Sequence, residues 1–209
     1  MPDGSSPHAP DGAAGRIGPN AVWQLLPLLE RVGGAGLCKN VLASAGLFDT
    51  VPGGGSVGLI DERPVARLHR CVRDRLGELA PSVLHEAGVR TADYILANRI
   101  PAPARWALTV LPDRLAAPAL SRAIARNAWT FAGSGRFSVL STRPVRFALA
   151  NNPLIRGERS DQPLCHWHVG VFERLFRVLV NDRLRVQERA CCACGNNDCR
   201  FEIAVSGTA

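Results

Sequence analysis

The stretch Glu188-Arg189-Ala190-Cys191-Cys192-Ala193-Cys194-Gly195-Asn196-Asn197-Asp198-Cys199 sets four thiols and a carboxylate within twelve residues. So many metal-binding side chains in one short loop leave two outcomes: a metal-braced turn, or a cluster of free thiols with one of them redox-reactive. Residues 184–188 and 199–205 alternate apolar and polar side chains, which reads as a hairpin. Leu184, Val186 and Glu188 share one face of its first strand, and Cys199, Phe201, Ile203 and Val205 share one face of its second. When the two apolar faces coincide, Glu188 and Cys199 meet at the loop end of the inner side, and Cys191 closes over them. Gly195 and the Asn196-Asn197-Asp198 run supply the turn conformations.

A tetrahedral zinc needs a fourth ligand. Cys165, at the start of the preceding helical pattern, is the natural donor because that helix packs on the sheet. Cys192 and Cys194 compete for the same places, whereas Cys38 and Cys71 sit in apolar helical patterns. Three thiolates and a carboxylate leave the centre net negative, so Arg189 and Arg200 are candidate outer partners. The expected set is Cys165, Glu188, Cys191 and Cys199, all from the protein, which is a structural rather than a catalytic zinc.

Upstream the pattern is helical. Residues 21–32 carry Trp23, Leu25, Leu26, Leu28 and Leu29, opened by Pro19-Asn20 and interrupted by Gly33, Gly34 and Gly36 before a second short helix over 37–48. A glycine turn follows at 52–58. Asp61 then caps a helix running to Leu79, with Val65, Leu68, Val72, Leu76 and Leu79 as its stripe. Pro81 fits the first turn of another helix, which reaches about residue 100. Pro101 and Pro103 break the chain, and helix resumes over 120–131. After Gly133 come strands over 137–142 and 145–151, a loop at Asn152-Pro153, an exposed stretch over 154–163 and a helix over 165–180. The fold class is therefore α+β: a helical N-terminal half (20–132) packed with a small antiparallel sheet (133–209) that ends in the zinc-braced hairpin. Residues 1–19 lack the cationic start and apolar run of a signal peptide and read as a disordered cytosolic lead-in.

The net charge is +7, and Lys39 is the only lysine. The arginines are scattered rather than aligned, which argues against nucleic acid and leaves a solvated basic surface or an acidic small ligand. No apolar run approaches the roughly 20 residues of a membrane span.

Cys165, then Glu188-x-x-Cys191, a loop with Gly195, and Cys199-x-Phe201 resemble the vinyl-4-reductase domain family, and Asn152-Pro153 after a strand also fits. In length and in its helical first half the whole chain resembles that family's bacteriochlorophyll-pathway members. The resemblance implies a cytoplasmic protein, with peripheral contact to the photosynthetic membrane left open, acting where a magnesium tetrapyrrole (protochlorophyllide or chlorophyllide) has its vinyl group reduced to ethyl. Other enzymes of the pathway are the implied partners. Related domains sense small aromatic ligands for transcription activators, which keeps a sensor module as an alternative.

Reduction needs a hydride source. Gly53-Gly54-Gly55-Ser56-Val57-Gly58 matches the dinucleotide fingerprint on paper, but it follows a helical segment and Pro52 and reads as a turn. A carboxylate in the ligand set argues against iron–sulfur. The reading that remains is a carrier that binds and presents the pigment, with the reductase itself as the alternative. Trp129, Phe137, Phe147, Trp167, His168 and Arg146 are the candidate ligand contacts, alongside Trp106, His166, Arg143 and Arg156. The apolar face around Trp23 points to a homodimer.

Overall fold

The computed structural model describes residues 15–48 and 58–205. The chain opens with β1 (Arg16–Ile17), α1 (Asn20–Trp23) and α2 (Leu26–Ala45). Gly34 adopts φ 70°, which a side chain would resist, and kinks α2 where the glycines were expected to interrupt it. β2 (Ile60–Asp61) pairs antiparallel with β1. Residues 15–19 are therefore ordered, contrary to the expected lead-in, because Ile17 is fully buried and the Gly15 carbonyl accepts the Glu62 N–H. Residues 1–14 lie outside the described residues, as does most of the expected glycine turn, including Gly53 to Val57.

Asp61 caps α3 (Glu62–Leu76) as expected, its carboxylate accepting the Arg63 N–H at 2.8 Å. The helix stops short of Leu79. Gly77 at φ 51° closes it, and a tight turn over Gly77–Leu79 changes the phase, so Leu79 faces solvent while Val65, Leu68 and Val72 are buried. Pro81 stands in the first turn of α4 (Ala80–Asn98).

α5 (Ala102–Val110) and α6 (Asp113–Arg126) occupy a region where helix was expected only from residue 120. Pro101 and Pro112 precede the first turns, and Pro103 falls within one, where a missing N–H costs nothing. Pro118 lies inside α6, and the carbonyl of Arg114 that its N–H would have bonded accepts the Arg143 guanidinium at 2.8 Å instead. α7 (Trp129–Ala132) is a single turn.

The sheet holds β3 (Arg136–Thr142), β4 (Val145–Ala150), β5 (Leu184–Ala190) and β6 (Asp198–Val205) in the order β3-β4-β6-β5, all antiparallel. The pairs Val145↔Ile203, Phe147↔Phe201 and Leu149↔Cys199 form its inner face, all six side chains buried. The stretch after β4 is not fully exposed as expected: Asn152 caps a tight turn, and Leu154 and Ile155 are each 2% exposed.

α8 (His166–Leu179) crosses the inner face and packs on α4. Gly88 and Gly170 make that crossing close. A Cβ on Gly88 would overlap the Trp167 carbonyl oxygen and stand 2.9 Å from the Val171 nitrogen. One on Gly170 would overlap the His85 carbonyl oxygen and stand 3.1 Å from the Val89 nitrogen. Each backbone thus fits against the other only where no side chain intervenes.

Candidate metal centre

Three pieces of structure converge at the loop end of the β5–β6 hairpin. Cys165 precedes the first residue of α8, and its backbone N–H donates to Glu188 Oε2 at 2.9 Å. Glu188 stands across from Phe201, one step before a bulge that shifts the β5–β6 register and so differs from a directly facing Cys199. Cys191 follows β5, and Cys199 opens the inner face of β6. The tight turn over Cys192–Cys194 and Gly195 at φ 87° bring the chain round between them.

The donor atoms of Cys165, Glu188, Cys191 and Cys199 all lie within 4.8 Å of one another. Cys165 Sγ and Cys199 Sγ are 3.3 Å apart. Zinc–sulfur bonds of about 2.3 Å in a tetrahedron imply sulfur separations of about 3.8 Å, which these spacings bracket. The three thiols are at most 2% exposed.

Hydrogen-bond donors surround the sulfurs. The Leu164 N–H points at Cys191 Sγ (3.5 Å) and the Cys192 N–H at Cys199 Sγ (3.4 Å). Asn152 Nδ2 points at Cys165 Sγ (3.2 Å) and Cys199 Sγ (3.8 Å), while its Oδ1 accepts the Leu154 N–H. Donors aimed at sulfur stabilise thiolates. Glu188 Oε1 is buried with no hydrogen-bond partner in the protein, a costly arrangement for a carboxylate unless a cation faces it.

The protonation balance says the same. Burial pushes the Glu188 carboxyl up to about 8. Burial also raises Cys165, whereas hydrogen bonds from Cys165 and Cys199 hold Cys191 low. Without a cation, burial thus opposes ionisation at Glu188 and Cys165. A divalent cation removes that resistance.

The four donors brought together are the four expected from the spacing. Cys194 is exposed, and Cys192 turns toward the Leu149 carbonyl (4.0 Å), outside the cluster. Cys38 and Cys71 lie on α2 and α3. The expected outer partners are elsewhere, because Arg189 and Arg200 point away from the inner face: Arg189 bonds Glu202 (3.0 Å) and Arg200 bonds Asp198 (2.7 Å). Asn152 and the two backbone N–H groups take that place. The Asn-Pro pair after a strand was visible in the sequence, but nothing there showed its amide aimed at sulfur.

Of the candidate ligand contacts, Phe137, Phe147 and His168 are gathered around Phe172, and Trp167 stands edge-on to His168 with ring centroids 5.0 Å apart. Ring centroids are 5.1 Å apart for Phe137 and Phe147, 5.2 Å for Phe147 and Phe172, and 6.2 Å for His168 and Phe172. Phe147, Trp167 and His168 are buried, and Trp167 Nε1 and His168 Nε2 have no hydrogen-bond partner. Trp129 is exposed, as is Trp106. Arg146 lies on the outer face of the sheet and bonds Glu202 at 2.8 Å. Arg143 is engaged with the Arg114 carbonyl, and Arg156 bonds Glu62 at 2.8 Å.

Beside the donor cluster lies an open cleft of about 620 Å³, walled by Pro81, Pro163, His166, Val169, Val186 and Glu188. Burial, with Arg73 and His85 nearby, lowers the His166 pKa. This cleft had no clear sequence signal, since its residues come from three separate stretches.

The vinyl-4-reductase domain family matches residues 145–205. The chain is 52% identical over 194 residues to the bacteriochlorophyll synthase 23 kDa chain of Cereibacter sphaeroides, covering 93% of each. It is 41% identical over 204 residues to the protein of the same name from Rhodobacter capsulatus, covering 98% of this chain and 93% of that one. Among solved structures it is similar to an H-NOX protein from K. algicida, with TM-score 0.58 and 12% identity over 92% of this chain and 98% of that one. It is also similar to an H-NOX structure studied for heme distortion, with TM-score 0.57 and 12% identity over 92% and 97%. At such identities the likeness is one of fold.

Proposed function

Because the chain belongs to the family of the bacteriochlorophyll synthase 23 kDa chains and so acts in bacteriochlorophyll biosynthesis, we propose that it binds and presents a vinyl-bearing magnesium tetrapyrrole at the vinyl-reduction stage, braced by a structural zinc. The observation that carries this reading is the donor cluster of Cys165, Glu188, Cys191 and Cys199, with its orphan carboxylate oxygen. When bound there, zinc supplies a rigid joint between helix and hairpin. Four protein donors fill a tetrahedron, so the centre serves the shape of the domain rather than substrate chemistry.

The cleft beside that joint supports a pigment site, since its volume falls within the range of about 300–1,000 Å³ usual for small-molecule sites. His166, the first residue of α8, would offer its imidazole toward the chlorin magnesium, and Pro81, Pro163, Val169 and Val186 offer apolar surface to the macrocycle. Pathway enzymes that act on the same pigment are the proposed partners.

A second reading, a small-aromatic sensor, is favoured by one feature. Trp167 Nε1 and His168 Nε2 are buried and unpaired inside the aromatic core, where a phenol-sized ligand would satisfy them.

The test is a titration of the purified protein with magnesium divinyl protochlorophyllide, followed by absorbance with and without NADPH. A saturable shift without conversion of vinyl to ethyl is expected, weakened by His166→Ala. Conversion by this protein and NADPH alone would make it the reductase, and no shift at saturating pigment would end the carrier reading. Elemental analysis should find about one zinc per chain.

A further inference from the structure

Helix α5 is the anomaly of the surface. Its nine residues, Ala-Pro-Ala-Arg-Trp-Ala-Leu-Thr-Val, carry a single charge, yet none of them is buried. Trp106 is 69% exposed, Val110 57%, Leu111 37% and Leu115 51%. Trp106 and Val110 are one helical turn apart and share a face. Leu111 lies in the link to α6, and Leu115 on the first turn of α6, so the four crowd one corner. Contiguous apolar exposure of this kind marks an interaction surface.

The charges around it are one-sided. Residues 99–126 contain Arg99, Arg105, Arg114, Arg122 and Arg126 against a single acid, Asp113. Asp113 is engaged by Asn181 at 2.6 Å. Arg99, Arg114, Arg122 and Arg126 are exposed, and none has an acidic partner among the described residues.

We propose that the corner of α5 and α6 is the surface by which this protein lies on an anionic lipid bilayer. Short aliphatic side chains and a tryptophan fit the boundary between headgroups and acyl chains, and arginines reach the phosphates beside it. No described helix is long and apolar enough to cross a membrane, so the contact is along the surface. A second copy of this chain fits worse, because a twofold contact through this corner sets unpaired arginines against their own images. The pigment reading does not depend on this surface, and the pigment titration is indifferent to it.

The test is co-flotation of the full chain with vesicles of phosphatidylcholine alone and of equimolar phosphatidylcholine and phosphatidylglycerol. Binding to the anionic vesicles is expected, at least about tenfold tighter than to the neutral ones and falling with added salt. Leu111→Glu, with unchanged circular dichroism, should weaken it by about tenfold or more, while Val32→Glu, an exposed position on α2, should leave it unchanged. Absence of flotation with either vesicle overturns the proposal. So does flotation insensitive to Leu111→Glu, or a solution dimer that Leu111→Glu dissociates while no lipid is bound.

Discussion

The crossing of α4 and α8 can be tested by adding single methyl groups. Gly88→Ala and Gly170→Ala each place a carbon inside van der Waals range of the facing helix's backbone, and backbone cannot rotate out of the way as a side chain can. The helices must part by roughly 1 Å, and because the overlap is with backbone the overpacking cost stands in the upper part of its usual range, about 2–3 kcal/mol. Alanine returns about 1 kcal/mol through its better helix propensity, so each variant should lose about 1–2 kcal/mol net. The two clashes face each other across one interface, and one separation relieves both. The double variant should therefore lose clearly less than the sum of the singles, with a coupling of about 1 kcal/mol. Urea unfolding of parent, singles and double, read as midpoint shifts at constant slope, gives all four corners of the cycle. A single variant as stable as the parent would refute the close approach. Strict additivity would refute the shared relief.

Three further outcomes follow from the interior. Asn152→Ala should lower zinc affinity about 10–100-fold in chelator competition, and Arg189→Ala should not, because the asparagine amide and not the arginine points at the sulfurs. Glu62 is 2% exposed and accepts from the Ser134 N–H (2.7 Å) and Arg156 (2.8 Å), so Glu62→Ala should lose about 2–3 kcal/mol in urea unfolding, and a loss under about 1 kcal/mol would contradict its role. His69 is buried against the Ala21 carbonyl (2.9 Å), and burial, reinforced by Arg73, lowers its pKa to about 3. A depressed histidine pKa means stability that is present above about 6.5 and lost as pH falls toward about 3. His69→Gln should flatten that acid slope in thermal melts taken across the range, and an unchanged slope would exclude His69 as its source.

The donor cluster was legible because its information is local. Strand parity in 184–188 and 199–205 determines which side chains share the inner face, and one helix start brings the fourth donor. Even the bulge after Glu188 left the donors together. The support around them was not legible, because Asn152 reaches the sulfurs through a turn whose direction depends on packing. Prolines misled in α5 and α6: Pro101 and Pro103 mark a helix start rather than a break, and the carbonyl left free by Pro118 accepts Arg143 from the β3–β4 turn. Leu79 was misplaced by a change of phase at Gly77, which periodicity cannot register. Of the aromatic candidates, Phe147 and Trp167 are buried whereas Trp106 and Trp129 are exposed, and whether rings line a hollow or fill it is decided by volume.

The family match begins at Val145, in the middle of a sheet. The strand that flanks β4, and the helix that receives α8 at Gly88 and Gly170, both lie upstream of that boundary. What is inherited as a recognisable pattern is therefore smaller than what folds as a body. Cut free at Val145, the pattern would carry a raw sheet edge and a helix whose glycine faces nothing. The helical half and the cysteine-bearing hairpin are thereby joined through the α4–α8 crossing.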